Sequence, residues 1–217
     1  MRSNRVSIGK NVVLDGRLAL FHKRQGWLAV ADLHFGYEIS QRAAGNLFPL
    51  WGIQTIEARL IELVRDYNPK HLVLLGDIVH DRTGGRALRS LVERLRASCE
   101  IVLIAGNHDR SLATLELLDA WLSDGYYFHH GDCAREQQDC IQIIGHHHPA
   151  GTVRDGAGLR LRLPAFVQQH SCWILPAFSP WAAGTEWAQT QPGRMWLCSP
   201  ERILRIDCRD GAQSRSL

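Results

Sequence analysis

Five short polar clusters carry the chemistry this sequence is able to do. They are Asp32 and His34 in "ADLHFG", Asp77 and His80 in "LGDIVHD", and Asn107, His108 and Asp109 in "AGNHDR". His129 and His130 follow in "FHHGD", and His146, His147 and His148 in "GHHHP". Carboxylates, imidazoles and amide oxygens are the ligands that borderline divalent metals take. Singly, each cluster has a plain reading: Asp-x-His is a turn with a surface histidine, Gly-Asp a common turn, and Asn-His-Asp an Asx-type turn. Five such clusters in series, each closing an apolar run, point instead to one shared metal site. The histidine triplet is internal, which is no place for a purification tag. Alternation of side chains along a strand end predicts that His146 and His148 share a face and His147 points elsewhere.

The elements that must position these residues are legible as periodicity. "NVVLDGRLALF" and "GWLAVADLHFG" read as strands, with Gly26 near their turn. "IQTIEARLIELVRDY" has helical spacing and is closed by Asn-Pro; the buried strand "HLVLLGD" follows. "RALRSLVERLRAS" is a second amphipathic helix before the strand "EIVLIAGNHD", and "SLATLELLDAWL" is expected as a third, with Ser111 as its N-cap. "YYFHHGD" and "CIQIIGHHH" read as short strands. "TVRDGAGLRLRLPAF", "SCWILPAF" and "MWLCSPERILRID" read as antiparallel strands, interrupted by one long loop, "SPWAAGTEWAQTQPGR". Helices alternating with strands in the middle and strands at both ends predict an α/β sandwich, sheets inside and helices outside. All five clusters fall at the C-terminal ends of strands, where α/β folds bind ligands.

Composition sets the outer limits. The 217 residues suit a single domain spanning 1–217. Hydrophobic content of 45% and charged content of 22% are those of a globular protein, and a net charge of +3 permits nucleic acid without requiring it. No apolar run approaches a membrane span, and the opening lacks the apolar core of a signal peptide, so the chain is expected in the cytoplasm, without membrane contact. Cys99, Cys133, Cys140, Cys172, Cys198 and Cys208 form no CxxC pair and read as free thiols, mostly buried in strands. A zinc site at Cys133 and Cys140 lacks a second close pair.

Asp-x-His, Gly-Asp, Gly-Asn-His-Asp, His-Gly and Gly-His-x-His, in that order from Asp32 to His148, resemble the calcineurin-like metallophosphoesterases. Two branches are similar: the small bacterial phosphoesterases associated with DNA ligases, and the nuclease subunits that process double-strand breaks. The former fit better, sharing the "GHxHP", "LRLP" and "LPAF" segments, here "GHHHP", "LRLRLPAF" and "WILPAF". The resemblance implies a four-layer α/β sandwich, two central mixed β-sheets flanked by helices. It implies a two-metal phosphoesterase, with a phosphodiester of nucleic acid as the leading substrate, in DNA end processing or repair, and DNA-repair proteins as partners. The same-class alternative is hydrolysis of a small phosphodiester or nucleotide. The different-class alternative is a metal-binding interaction module without catalysis.

The resemblance also assigns roles. Asp77 bridges two divalent ions, manganese first among candidates that include iron, zinc and nickel. Asp32, His34 and His148 complete one shell; Asn107, His146 and His130, with His129 as the alternative to His130, complete the other. A metal-bound hydroxide attacks the phosphate, and His108 donates a proton to the leaving group or stabilises its charge. His80 departs from the many relatives that have Asp there to orient the catalytic histidine; the double-strand-break nucleases share the histidine. Arg82 and Arg110 are placed for phosphate contact. Tyr37 and Arg42, in a segment at the rim, either contact substrate or belong to a solvated loop. Arg86, Arg89, Arg94 and Arg96 read as a solvated helix face, and Trp173, Trp181, Trp187 and Trp196 as core or loop anchors rather than base-stacking platforms.

Overall fold

Apolar runs broken by turns fold the N-terminus into a meander, in which β1 (Arg5–Gly9), β2 (Val12–Asp15), β3 (Ala19–His22) and β4 (Trp27–Ala31) pair antiparallel in sequence order. The computed structural model describes residues 4–109, 112, 115–135, 139–154, 157–187 and 193–207. Beyond β4 the chain changes to crossovers. Helices α1 (Tyr37–Ala43) and α2 (Gly52–Tyr67) lead to β5 (His71–Leu75), and α3 (Gly85–Arg96) leads to β6 (Glu100–Ile104). Strands β4, β5 and β6 are parallel, and β4 is buried along its whole length, as strands covered on both faces are. Their register aligns Ala31, Leu75 and Ile104, so the three loops that follow leave the sheet side by side.

The second sheet is also mixed. It orders β13 (Thr185–Glu186), β10 (Pro149–Arg154), β11 (Arg160–Gln168), β12 (Cys172–Ile174), β9 (Ile141–Ile144), β8 (Tyr126–Phe128) and β7 (Trp121–Ser123), with β14 (Arg194–Cys198) and β15 (Ile203–Asp207) joined through β11. Strands β8, β9 and β12 are parallel to one another, so this sheet also presents strand ends carrying histidines along one edge. The main core takes Trp27 and Leu74 from the first sheet, Phe128, Phe166 and Trp196 from the second, and Leu60, Leu63, Leu88 and Leu91 from the helices. Two mixed sheets with flanking helices are the α/β sandwich expected of the sequence. Helix α2 buries Ile56, Leu60, Leu63 and Val64 on one face and stops at Asn68, whose left-handed backbone ends it. Among the described residues no helix is long and apolar enough to cross a membrane.

One ionic knot ties the meander to α2. Asp15, fully buried, accepts from Arg17 (Nε, 3.0 Å, and Nη2, 2.9 Å), Arg5 (3.2 Å) and the Tyr67 hydroxyl (2.8 Å). Arg17 reaches on to Asp66 at 2.9 Å.

Three expectations change. The third helix is not formed over the described part of its range: Leu118 bridges to β6 and Trp121–Ser123 is β7. Leu118 donates to Leu103 (2.8 Å) and accepts from Ala105 (2.9 Å), so pairing at the sheet edge overrides a helical pattern. Ser111 lies outside the described residues. The rim segment is no simple loop, because Tyr37–Ala43 is helical and Glu38 is buried, capping α2 through the Ile53 amide (2.6 Å). Of the five cysteines described, only Cys198 is buried and Cys133 is exposed; Cys208 lies outside the described residues.

Candidate metal centre

Loops after β4, β5 and β6 bring Asp32, His34, Asp77 and Asn107 to one edge of the first sheet; those after β8 and β9 bring His130, His146 and His148 from the second. Ligand atoms of Asp32, His34, Asp77 and His148 lie within 4.8 Å of one another, and so do those of Asp77, His130 and His146. Asp77 belongs to both groups. His130 Nε2 is 3.1 Å from Asn107 Oδ1, 3.1 Å from His146 Nδ1 and 3.5 Å from Asp77 Oδ2. His148 Nε2 lies 3.4 Å from both Asp32 Oδ1 and His34 Nε2. His129 turns away, pairing with Gln142 at 2.9 Å, so the structure brings His130 and not His129 to the cluster.

The backbone is bent to achieve this. Asp32, His34, Asp77, His146 and His148 all have φ between 43° and 65°, a region that L-residues enter at a cost of about 1–2 kcal/mol. His146 and His148 therefore face the cluster because of two left-handed turns, and not because of strand alternation: β9 has ended at Ile144, and Pro149 opens β10. His147, exposed between them, packs toward Trp187. A glycine precedes each of three key positions, and each lies where a Cβ would collide. A Cβ on Gly76 would sit 1.9 Å from His130 Nδ1, on Gly106 2.1 Å from the Asp77 amide nitrogen, and on Gly145 2.6 Å from Asp32 Oδ2. The pattern Gly-Asp, Gly-Asn and Gly-His was the available sequence signal for these close approaches.

The donor set fits divalent cations. Lone pairs converge with few protons to share, and the Nδ1 atoms of His34 and His130 are buried without a hydrogen-bond partner. Burial pushes His34 down to about 4, against the pull of Asp77 and Asp32, so its imidazole is neutral and able to coordinate. Burial alone would raise Asp77, but the His130 hydrogen bond, the His108 amide and the charge of His130 and His34 hold it at about 2. Burial would likewise lower His130, yet the hydrogen bond and charge of Asp77, joined by Asp32, draw it upward. The two carboxylates thus draw positive charge toward His130, while burial keeps His34 neutral.

His108 stands beside the cluster, exposed, with its amide on Asp77 Oδ1 at 3.0 Å. Its Nδ1 is 3.1 Å from the His80 carbonyl oxygen, which only accepts, so Nδ1 carries the proton. Residue 80 thus orients His108 through its backbone, while the two rings stack at 5.4 Å. Asp109, which the sequence reading left without a role, is buried and accepts from the amides of Val79 (3.0 Å) and Gly106 (2.8 Å), locking the two ligand loops together. Burial pushes its carboxyl up against the pull of these amides. Arg42 is exposed and donates to the Phe48 carbonyl at 3.2 Å, and Arg82 is exposed in a 3-10 turn; among the described residues neither reaches a cluster side chain. Arg110 lies outside the described residues. Trp173 and Trp196 are core residues, whereas Trp181 joins Trp51, Phe48 and Tyr37 in an aromatic row that ends on His80.

Comparison with known proteins gives this geometry a family. The calcineurin-like phosphoesterase model matches residues 28–168, more than half of the chain and a span that contains all seven cluster residues. The chain belongs to the calcineurin-like phosphoesterase family. It is accordingly a metal-dependent phosphoric ester hydrolase. Its fold is similar to that of the nuclease MPE of Pseudomonas putida, with a TM-score of 0.75 and 24% identity over 93% of this chain and 98% of that one. YfcE, a phosphoesterase from E. coli, is 16% identical over 83% of this chain and 97% of that one, with a TM-score of 0.43. No curated protein matches the sequence.

Proposed function

We propose that this phosphoesterase is a two-metal phosphodiesterase acting on nucleic acid. The observation that carries the two-metal part is the sharing of Asp77 between two groups of ligand atoms. In this reading Asp32, His34 and His148 would hold one ion, Asn107, His130 and His146 the other, and Asp77 would serve both. Ions held there would supply Lewis acidity and lower the pKa of nearby water. The chain's own residues do the rest. The left-handed turns and glycine contacts fix the ligands in advance, so little reorganisation is needed when substrate arrives. His108, held by the His80 carbonyl through Nδ1, leaves Nε2 for the leaving oxygen; as imidazolium it donates that proton, and as neutral imidazole it only accepts. An Asp at position 80 would have raised the basicity of His108; a carbonyl orients it without adding a charge.

The choice of nucleic acid follows the named activity of the Pseudomonas putida nuclease that shares the fold, together with the DNA-ligase-associated look of the sequence. Manganese is the first metal to test, since a mixed carboxylate, imidazole and amide set does not by itself select among manganese, iron, zinc and nickel. The test is metal analysis of loaded protein and turnover of an oligonucleotide and of an aryl phosphodiester with each metal. Two equivalents of metal and oligonucleotide cleavage are expected. A single equivalent refutes the bridged pair; hydrolysis of the aryl ester alone refutes the nucleic-acid substrate.

A further inference from the structure

We infer that the cavity next to His148 is a subsite for a second phosphate of the substrate, one flanking the ester that is cleaved. The inference rests on the nucleic-acid reading above. The cavity, of about 340 Å³, is lined by Arg17, Arg59, Arg162, His148 and Ser179 among others, and, among the described residues, by no acidic one. That volume is at the lower end of what small-molecule sites occupy. His148, one of the proposed ligands, stands in its wall, so an anion bound there would adjoin the metal cluster.

The three arginines are not equivalent. Arg17 is committed to Asp15 and Asp66 and contributes to the wall mainly as structure. Arg59 is half-buried and, among the described residues, has no carboxylate partner. It donates to the Phe178 carbonyl at 3.0 Å, and its guanidinium lies over the Phe178 ring at 4.8 Å. Burial draws its pKa down and Glu62 draws it back. A guanidinium stays charged under such pressure, so the fold carries a largely desolvated cation that feels Glu62 at a distance but, among the described residues, forms no ion pair with it. Arg162 is held in the same manner, by the Gly184 carbonyl at 2.8 Å. Neutral carbonyls set the direction of both guanidinia without cancelling their charge. The remaining donors suit phosphate oxygens, which arginine meets in a planar, forked geometry. A phosphodiester strand supplies one such anion on each side of the scissile ester; a simple aryl diester supplies none.

The experiment uses the full chain. Binding of a fluorescent oligothymidylate is followed by anisotropy on chelated protein across salt concentrations. On manganese-loaded protein, kcat/KM is measured for the same oligonucleotide and for bis(p-nitrophenyl) phosphate, which has one phosphate. Arg59→Gln and Arg162→Gln are each expected to lower the salt slope of binding by about 0.7, the value for one contact to a single strand. The ratio of kcat/KM for oligonucleotide over aryl diester should fall about 10- to 100-fold, the worth of a charge-assisted hydrogen bond. If Arg59→Gln does not fold, the exposed Arg162 decides the matter alone. Salt slopes and ratios within twofold of wild type in every folded variant, with wild type cleaving the oligonucleotide, overturn the subsite and leave the substrate reading intact. Wild-type protein that hydrolyses the aryl diester but neither binds nor cleaves the oligonucleotide overturns the substrate reading, and the strand phosphate with it.

Discussion

Replacing Gly76 by alanine separates backbone strain from ligand displacement, because the structure offers a control. Gly76 and Gly125 both have left-handed backbones, with φ of 68° and 79°. A Cβ on Gly125 would meet nothing within 4 Å, whereas one on Gly76 would meet His130 at Nδ1 (1.9 Å), Cγ (2.4 Å) and Cβ (2.8 Å). Gly125→Ala should therefore cost only the conformational penalty, about 1–2 kcal/mol. Gly76→Ala adds the cost of overpacking, about 1–3 kcal/mol, for a total of about 2–5 kcal/mol. In a chain of this size 1 kcal/mol moves Tm by about 2–4 °C, so falls of about 2–8 °C and about 4–20 °C are expected on chelated protein. Metal separates the two further. Swinging His130 away removes it from Asn107, His146 and Asp77 together, so on the proposed two-metal reading Gly76→Ala should hold one equivalent of metal and Gly125→Ala two. Calorimetry and metal analysis of the two variants in parallel are the assay. If Gly76→Ala matches Gly125→Ala in both, the close approach of Gly76 to His130 does not shape the site.

His108→Ala should lower turnover about 10²–10⁴-fold on alkyl or nucleoside esters, with metal content unchanged and a smaller loss on nitrophenyl esters; equal losses on both ester types, measured as kcat, would remove its role as leaving-group acid. His147→Ala should retain the metal that His146→Ala and His148→Ala lose, as read by metal analysis. Asp15 has its carboxyl held below the ordinary range, burial being outweighed by Arg17 and Tyr67. Its contribution to stability is therefore complete above the unfolded value of about 3.9 and is lost as pH falls through the lower folded value. Asp15→Asn should cost about 3–5 kcal/mol at pH 7 in denaturant melts and flatten the acid limb of the stability curve; an unchanged acid limb would show the knot to be inert.

Most strands and the two long helices were legible because each is a sustained periodic run, and the five clusters because they close such runs; β1 precedes the first run read as strand, and β13 is a two-residue pairing inside the segment read as a long loop. What escaped the sequence depended on contacts distant in the chain. Leu118 belongs to a pattern that reads as helix, and only the exposed edge of β6 makes it a strand partner. His146 and His148 were placed together for the wrong reason, since no periodicity announces a left-handed histidine. The orienting group for His108 is a backbone carbonyl, which every residue has and no motif marks. Nothing in the sequence of α2 singles out Arg59; its surroundings come from Phe178, more than a hundred positions away.

The division of the cluster between two sheets has a consequence during synthesis. The first sheet, with Asp32, His34, Asp77 and Asn107, is complete at Ile104 and its loops soon after, while the ribosome has yet to make His130, His146 and His148. On the assignment proposed above, each ion would then lack at least one of its imidazoles. A nascent chain or one truncated before β9 thus lacks the full ligand set. On that assignment the full ligand set would assemble only when the second sheet closes on the first, so the order of the chain would place hydrolysis after completion of both sheets.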